Sequence, residues 1–358
     1  MKKILFILPS LSNGGAEKVV SRISSSLSEK DYDISILNFY KCNNEYSIGF
    51  KVKRILLLNG DENDYKKINK FKILRLIRKK VKEISPDEIL CFLNQASILV
   101  ALSLIFTKYF NKITFTERAN PKYSNKIIIK IKYFIQKFVG KIIVQNNGQL
   151  QLLSKIEKKK AFVIANPVDD KYLNFEKKLN DEPKHIISIG RLTDQKDYTL
   201  AIKVFNNVLK KYPDLIYHIY GKGEDKEKIE KLIEELNIKD KVVLEGFTTD
   251  INKVYENADI YLMTSKYEGM PNALAESMAV GIPSISTNCE FGPSDLISDD
   301  NMGILVNEHS VEAVENALIN MIENYGRYRL LSKKVKESMK ERFSLEKITS
   351  EWVKFIER

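Results

Sequence analysis

Short apolar runs alternate with helix-forming segments along almost the whole of this 358-residue chain. The first set of runs covers 3–11, 33–40, 52–58, 88–93, 112–118, 141–145 and 161–167. The second set covers 185–190, 215–221, 241–246, 259–265, 283–288 and 303–306. Strand–helix–strand units pair their strands in parallel and cover both faces of the sheet with helices. The alternation therefore predicts an α/β protein with two parallel sheets.

The length of the chain favours two domains over one, since a single core of this size would be unusually large. The polar stretch 169–183 separates the two sets of runs and is interpreted as a linker. We expect an N-terminal domain over 1–168 and a second domain over 169–339.

Composition indicates a globular protein, with 44% apolar residues and three cysteines that form no C-x-x-C pair. An odd number of scattered cysteines predicts neither a disulfide framework nor a zinc site and fits a reducing cytoplasm. No run approaches the roughly 18 apolar residues that a membrane span needs. The basic, briefly apolar start of the chain is interpreted as a first strand rather than a targeting signal.

The segment 265–288 carries two carboxylates, Glu268 and Glu276, around the start of a predicted helix. Pro271 suits the first helical position, and Gly281 suits the position just after the helix. Free amides and the helix dipole at this N-terminus favour a phosphate, while carboxylates accept hydrogen bonds from hydroxyls. Together these features predict a nucleotide sugar as ligand, although isolated Glu pairs of this spacing are usually solvated.

The segment 190–202 places Arg191 and Lys196 after a strand that ends at Gly190. Ligands of open α/β sheets bind at this carboxyl edge, and both cations suit phosphate oxygens. Ordinary surface cations are the alternative, because the chain contains 58 Lys and Arg residues.

The strand, the two glutamates and the capped helix resemble the E-x7-E signature of retaining glycosyltransferases of family four. The resemblance covers nearly the whole chain and implies the GT-B architecture, two Rossmann-like domains facing a cleft. It implies that Glu276 holds the ribose hydroxyls and that Glu268 lies near the sugar and its phosphates. The donor-contacting segment of the family corresponds here to Gly269, Met270, Pro271 and Asn272.

The same resemblance assigns Gly190, Arg191 and Lys196 to the donor diphosphate, so that no metal or other cofactor is expected. Gly221 falls in a donor-lining loop, for which a plain strand end is the alternative. Residues 245–250 resemble the loop that receives the base, with Phe247 and Thr248 beside it, and a simple turn is equally compatible.

Two N-terminal segments resemble acceptor-side elements of the family. Gly14 and Gly15 form a turn that relatives place opposite the donor phosphates, so the resemblance assigns both to the acceptor side and Gly15 to the donor as well. A tight strand–helix turn that would need glycine anyway is the alternative. Glu117, Arg118 and Asn120 resemble the ERxNP segment of a subgroup that builds bacterial surface polysaccharides and lipid-linked oligosaccharides. Arg118 is predicted to contact an acceptor phosphate or sugar, with a surface role as the alternative.

The chain departs from many family members in its histidines. His185, His218 and His309 all fall in the second half, and the first two lie in apolar strands, which predicts core positions. Without an N-terminal histidine, catalysis would rest on positioning and on charge stabilisation, with the leaving phosphate taking the acceptor's proton. Covalent double displacement is disfavoured, since Glu276 is assigned to the ribose.

The net charge of +11 is unevenly distributed. The segments 65–83 and 125–141 are basic and amphipathic, which suits an anionic membrane surface. General compositional bias is the alternative, and neither an aromatic pattern nor a motif supports nucleic-acid binding. In the family the last helix, here 340–358 with the only tryptophan, packs back on the N-terminal domain.

These observations predict a retaining glycosyltransferase that moves an N-acetylhexosamine or hexose from a UDP-sugar to a glycan or lipid-linked acceptor. We expect it in the cytoplasm, peripheral at the inner face of the plasma membrane. A GDP-mannose-dependent enzyme is the alternative within the class. A non-catalytic, basic membrane- or nucleic-acid-binding protein is the alternative outside it.

Overall fold

The structure is a computed structural model that describes residues 1–12, 14–118 and 125–358. It divides into two compact units, each with its own core. Unit 1 comprises Met1–Pro167 and Leu345–Arg358, and unit 2 comprises Val168–Ser344.

Unit 1 is built around a parallel sheet in the order β3-β2-β1-β4-β5-β6-β7. Its strands are β1 (Lys3–Leu8), β2 (Asp33–Asn38), β3 (Lys53–Leu56), β4 (Glu88–Phe92), β5 (Ile113–Thr116), β6 (Lys141–Val144) and β7 (Ala161–Val163). Its helices are α1 (Gly15–Ser28), α2 (Glu62–Lys67), α3 (Lys70–Ile84), α4 (Asn94–Leu104), α5 (Lys126–Gln136), α6 (Asn147–Leu152), α7 (Lys155–Lys158) and α16 (Leu345–Ile356). Side chains of α1 and α16 pack on one face of this sheet, and those of α3 and α4 pack on the other.

Unit 2 contains a parallel sheet in the order β10-β9-β8-β11-β12-β13. Its strands are β8 (His185–Ile189), β9 (Ile216–Tyr220), β10 (Val242–Gly246), β11 (Ile260–Met263), β12 (Ser284–Thr287) and β13 (Ile304–Val306). Its helices are α8 (Asp170–Leu173), α9 (Tyr198–Leu209), α10 (Lys226–Glu235), α11 (Ile251–Tyr255), α12 (Asn272–Val280), α13 (Pro293–Leu296), α14 (Val311–Glu323) and α15 (Tyr325–Phe343).

The predicted fold class is confirmed, because every predicted apolar run contains a strand and both sheets are parallel. The runs overestimate strand length, since buried residues continue beyond the last ladder hydrogen bond. The run 3–11, for example, contains a strand that ends at Leu8, although Leu11 is also buried.

The interpretation of 169–183 as a linker is wrong. This stretch belongs to unit 2, forms α8 and buries Tyr172, Leu173 and Leu179. The stretch is polar in composition, but these three apolar side chains are buried in that unit.

The C-terminal helix α16 belongs to unit 1, where Trp352 is completely buried. Its indole lies 6.3 Å from the ring of Phe6 and 6.4 Å from that of Phe92, measured between centroids. Aromatic rings at such distances contribute packing energy beyond their buried area. The last helix is therefore part of the core that supports β1 and β4.

Candidate functional site

The carboxyl edge of the unit 2 sheet brings the predicted donor-binding residues together. β8 and β11 are neighbours, and the strand order reverses between them. Loops that follow such strands diverge and leave a crevice, where open α/β sheets bind ligands. Arg191 follows β8 and Glu268 follows β11, so the chain places them at the two sides of this switch point.

Glu268 and Lys196 form an ion pair with 2.6 Å between Oε1 and Nζ. Both side chains are largely buried, and Gln195 also donates a hydrogen bond of 3.4 Å to Oε2 of Glu268. A buried carboxylate costs free energy unless it is paired, so the contact with Lys196 compensates the burial of Glu268 and fixes its side chain in place. Sequence reasoning named both residues but did not predict their contact.

Hydrogen bonds tie the loop after β8 to the loop after β11. The backbone N–H of Lys266 donates to the carbonyl of Gln195 over 2.8 Å, and Nε2 of Gln195 donates to the carbonyl of Tyr267 over 2.9 Å. The hydroxyl of Thr264 donates to the carbonyl of Lys196 over 3.0 Å. Hydrogen bonds between the two loops therefore fix the backbone that carries the ion pair.

Helix α12 begins at Asn272, with Pro271 as its N-cap, one residue later than predicted. The N-cap residue Pro271 makes no side-chain hydrogen bond to the helix. Gly281 ends the helix in the left-handed region with φ of 93°, as the sequence predicts. This N-terminus retains the positive end of the helix dipole, which suits a phosphate.

Glu276 lies in the second turn of α12 and is half-buried. Burial raises the pKa of Tyr172, and the nearby Glu276 carboxylate raises it further through charge and a hydrogen bond. Tyr172 in turn packs edge-on against Tyr255, with ring centroids 6.0 Å apart. The carboxylate thus has a neutral phenol beside it and keeps acceptor capacity for other hydroxyls.

The glycines after β8 and β9 are needed for a close approach of two loops. Gly190 donates its N–H to the carbonyl of Tyr220 over 3.0 Å, and Gly221 donates to the carbonyl of Gly246 over 2.9 Å. A Cβ on Gly221 would lie 1.8 Å from the carbonyl oxygen of Gly190. Arg191, next in sequence, is exposed.

The segment 289–292 lies against the loop 269–272. A Cβ on Gly292, whose φ is 95°, would lie 2.5 Å from Cδ of Pro271. Met270 is buried in this contact region. Burial and the Glu268 carboxylate raise the pKa of Cys289 to about 12, with Lys196 opposing the rise. Cys289 therefore borders the ion pair as a protonated thiol.

The predicted base-receiving loop follows β10. Phe247 is exposed, and the hydroxyl of Thr248 accepts a 3.1 Å hydrogen bond from the N–H of Asp250. Asp250 caps α11 through its own carboxylate. An exposed ring on a capped turn is available for stacking on a base.

In unit 1, Gly14 caps α1, and Gly15 is its first residue. The buried Glu17 carboxylate lies over this turn, because a Cβ on Gly14 would come within 2.2 Å of its Oε2. An anion of the chain itself thus occupies the position where the sequence predicts a ligand phosphate. Glu17 is a residue that sequence reasoning missed.

Glu117 follows β5 and is buried in an ion pair with Lys132 of α5. Lys132 also donates a 3.0 Å hydrogen bond to Oδ1 of Asn94, at the start of α4. Burial lowers the pKa of Lys132 to about 7. The arrangement makes Glu117 a partner of Lys132 at the carboxyl edge of the unit 1 sheet.

Arg118 is held between aromatic rings, 5.1 Å from the centroid of Phe92 and 5.9 Å from that of Trp352. Its Nη1 donates to Oδ1 of Asn166 over 2.7 Å, and burial lowers its pKa to about 9. Its Nε and Nη2 are buried without a hydrogen-bond partner in the described part of the chain. Asn120, predicted beside it, lies outside the described residues.

The core positions predicted for two histidines are wrong. His185 and His218 are half-buried, lie 3.0 Å apart between ring nitrogens, and line a cavity of about 260 Å³. His218 also contacts Glu245 over 3.0 Å. Polar partners on neighbouring strands, which periodicity does not reveal, explain the difference.

Over the described ranges, no cluster of three or more His, Cys, Asp or Glu side chains is arranged to hold a metal ion. None of the helices built from those residues combines the length and apolarity needed to cross a membrane.

Comparison with known families decides the class of protein. Residues 169–340 match the family described as "Glycosyl transferases group 1". These residues form a group 1 glycosyl transferase domain. The predicted glycosyltransferase family is confirmed over these residues.

Relatives in sequence and neighbours in structure align with nearly the whole of this chain. An uncharacterized glycosyltransferase of Haemophilus influenzae is 29% identical and covers 98% of this chain and 99% of its own. The "GalNAc-alpha-(1->4)-GalNAc-alpha-(1->3)-diNAcBac-PP-undecaprenol alpha-1,4-N-acetyl-D-galactosaminyltransferase" of Campylobacter jejuni is 26% identical over 99% of this chain and 98% of its own.

Among solved structures, a variant of S. aureus TarM in complex with fondaparinux, alpha-GlcNAc-glycerol and UDP superposes with a TM-score of 0.82. It is 18% identical and covers 100% of both chains. At this identity the likeness shows the fold, which is the GT-B fold that the sequence predicts.

Proposed function

We propose that this glycosyltransferase transfers an N-acetylhexosamine or hexose from a UDP-sugar, with retention of configuration, to a glycan or lipid-linked acceptor. The observation that carries the proposal is the buried Lys196–Glu268 pair close to the N-terminus of α12, with Glu276 one turn further along. In this proposal the helix N-terminus and Lys196 bind the donor phosphates, Glu268 contacts the sugar and Glu276 binds the ribose.

The chemistry of the proposed site follows from its charges. Arg191 and Lys196 would neutralise the diphosphate as it leaves, and the α12 dipole would add to that stabilisation. Glu268 would orient the sugar, and Glu276 would bind the ribose hydroxyls. With two cations assigned to the diphosphate, we propose that no metal takes part and that EDTA leaves the rate unchanged.

Support for the donor and acceptor comes from the relatives. The TarM variant was crystallised with UDP, and the C. jejuni relative is named for an acceptor carried on an undecaprenyl diphosphate. We extend both features to this chain. Because a lipid-linked acceptor resides in a membrane, we also propose a location at the inner face of the plasma membrane. Arg118 has two buried nitrogens without a hydrogen-bond partner among the described residues, and we propose that it contacts the acceptor.

Calorimetric titration with UDP and GDP tests the donor site in wild type, Arg191→Ala and Arg327→Ala. Arg327 is an exposed arginine of α15 and serves as the matched control. We expect UDP binding that weakens at least about tenfold in Arg191→Ala and is unchanged in the control. Preference for GDP would replace the donor by a GDP-sugar.

Absence of binding for both nucleotides, with the fold intact, would contradict the enzymatic site and favour a non-catalytic role. Retention is tested separately by determining the anomeric configuration of the product by NMR. An inverted product would contradict the proposed mechanism while leaving the donor assignment intact.

A further inference from the structure

Helix α5 is oriented with polar side chains inward. Its buried residues are Ile129, Lys132 and Gln136, and only the first is apolar. Lys132 pairs with Glu117, and Nε2 of Gln136 donates to Oε1 of Glu157 over 3.1 Å. A surface helix normally turns its apolar stripe to the core. Here, polar partners occupy the inward face instead.

The apolar stripe of the same segment faces solvent. Ile127, Ile131, Phe134 and Phe138 recur at helical spacing and are all exposed, Phe134 by 64%. From the first to the last, the stripe extends about 16 Å along the helix axis. The rings of Phe134 and Phe138 contact each other edge-on at 5.4 Å between centroids.

Helix α4 packs against α5, and apolar side chains are exposed at its end as well. Leu102 is exposed there, and Phe106, just beyond the helix, is 95% exposed. We call the surface formed by Leu102, Phe106, Ile127, Ile131, Phe134 and Phe138 the α4–α5 face. Grouped exposed apolar residues mark interaction sites more often than scattered ones.

The charge around the α4–α5 face is of one sign. Exposed lysines flank it at Lys108, Lys126, Lys130 and Lys137. Between Glu88 and Glu157 the sequence contains a single acidic residue, Glu117. All three of these glutamates are buried. The face therefore offers aromatic and aliphatic groups within a rim of cations and no exposed carboxylate from this stretch.

Helix α3 shows that a basic amphipathic sequence alone does not produce such a surface. Its apolar residues Ile73, Ile77 and Val81 are buried in the core of unit 1. Its exposed Phe71 is the first apolar residue of the helix and lies apart from that stripe. Of the two basic segments, only 125–141 turns its apolar side outward.

We propose that the α4–α5 face docks on the surface of an anionic lipid bilayer. Its rings and aliphatic side chains would enter the boundary between headgroups and acyl chains, and its lysines would contact anionic headgroups. The complementary charge favours a bilayer over a second copy of this chain, because a second copy would bring the same cations. This proposal does not depend on the identity of the sugar donor.

Co-sedimentation with vesicles tests it on the full-length protein. The vesicles contain phosphatidylcholine alone or phosphatidylcholine mixed with phosphatidylglycerol. The apolar variant is Phe134→Glu/Phe138→Glu, and the charge variant is Lys130→Gln/Lys137→Gln. Phe71→Glu, on α3 and 75% exposed, is the matched control. All altered side chains are exposed, so the fold should persist, as circular dichroism would verify.

We expect wild type and Phe71→Glu to bind the mixed vesicles and to bind phosphatidylcholine weakly. Both double variants should lose about tenfold or more in partitioning, while UDP binding without lipid stays unchanged. Equal partitioning of all variants, or no binding by wild type, would overturn the proposal. A wild-type dimer in light scattering that Phe134→Glu/Phe138→Glu converts to monomer, without vesicle binding, would assign the face to a second copy instead.

Discussion

At the residue scale, the candidate site depends on buried charges that are paired within the protein. Lys196 neutralises Glu268 in unit 2, and Lys132 neutralises Glu117 in unit 1. Pairs of this kind stabilise little by themselves, but removal of one partner leaves the other charge buried and uncompensated. Substitutions in the Lys196–Glu268 pair therefore test the proposed catalytic role, and substitutions in the Lys132–Glu117 pair test a structural one.

The two glutamates of the donor site should respond differently to substitution. We expect Glu268→Gln to lower kcat/KM about 100-fold or more while UDP binding is retained, because this carboxylate is assigned to the sugar. Glu276→Gln should weaken UDP binding itself, since its carboxylate is assigned to the ribose. Steady-state kinetics and calorimetry distinguish them, and identical effects of the two substitutions would contradict the division of roles.

Lys132→Met should destabilise unit 1 by about 3–5 kcal/mol, because it leaves the Glu117 carboxylate buried without a cation. The double variant Glu117→Gln/Lys132→Met removes both charges and should recover a large part of the loss. Urea unfolding measures both. A double variant no more stable than the single one would show that the pair does more than neutralise charge.

At the element scale, the loops at the carboxyl edge of unit 2 are fitted to one another by backbone contact. Gly221 lies against the carbonyl of Gly190, and Gly292 lies against Pro271. At these positions any Cβ would displace a loop that carries a predicted donor contact. The presence and order of the strands were predictable from apolar runs, whereas these contacts between loops were not.

Gly292→Ala should cost about 1–3 kcal/mol, since a φ of 95° strains any residue with a Cβ and the new methyl meets Pro271. Because the loop 269–272 must shift, UDP binding should weaken as well. Gly326→Ala is the control: it lies in helix α15, and a Cβ there would meet nothing within 4 Å. Thermal unfolding and calorimetry report both effects, and equal behaviour of the two variants would refute this account.

His185 on β8 should make unit 2 sensitive to acid. Burial lowers the pKa of His185, nearby His218 lowers it further, and Asp259 opposes the shift. The folded state thus binds fewer protons than the unfolded state, whose histidine has a pKa of about 6.5. The stability due to this group is complete above that pH and is lost as pH falls toward the lowered folded value.

Thermal melting between about pH 7 and pH 5 measures this effect, because the transition of unit 2 should fall with pH in this window. His185→Gln should flatten the dependence. An unchanged slope in that variant would assign the acid sensitivity to other groups.

At the scale of the whole molecule, each unit has its own core and its own role in the proposed reaction. The predicted donor residues other than Gly15 lie in unit 2, whereas Gly15, Arg118 and the α4–α5 face lie in unit 1. A ligand that binds only the folded state raises the stability of the part that holds it. Nucleotide binding should therefore act on one unit.

Calorimetric scanning should resolve two transitions, and UDP should raise the one that belongs to unit 2. At about a hundredfold excess over Kd, the gain is about 2.7 kcal/mol. Reference variants identify the transitions: Leu262→Ala in β11 should lower that of unit 2, and Trp352→Ala in α16 should lower that of unit 1, each by about 2–5 kcal/mol. An equal shift of both transitions by UDP would contradict the assignment of the donor site to unit 2 alone.

Local periodicity in the sequence determined the elements of this protein, their order and the fold class, because apolar spacing and glycine positions act over a few residues. The resemblance of two motifs to the glycosyltransferase family, and not periodicity, indicated Glu268, Glu276, Arg191 and Lys196 as a group. Periodicity shows which side chains share a face, but it does not show which face turns inward. The tertiary structure decided that Lys196 meets Glu268 across 72 residues of sequence. It also decided that α5 buries Lys132 and exposes Phe134, because Glu117 and Asn94 on other elements supply the partners that make an inward lysine stable.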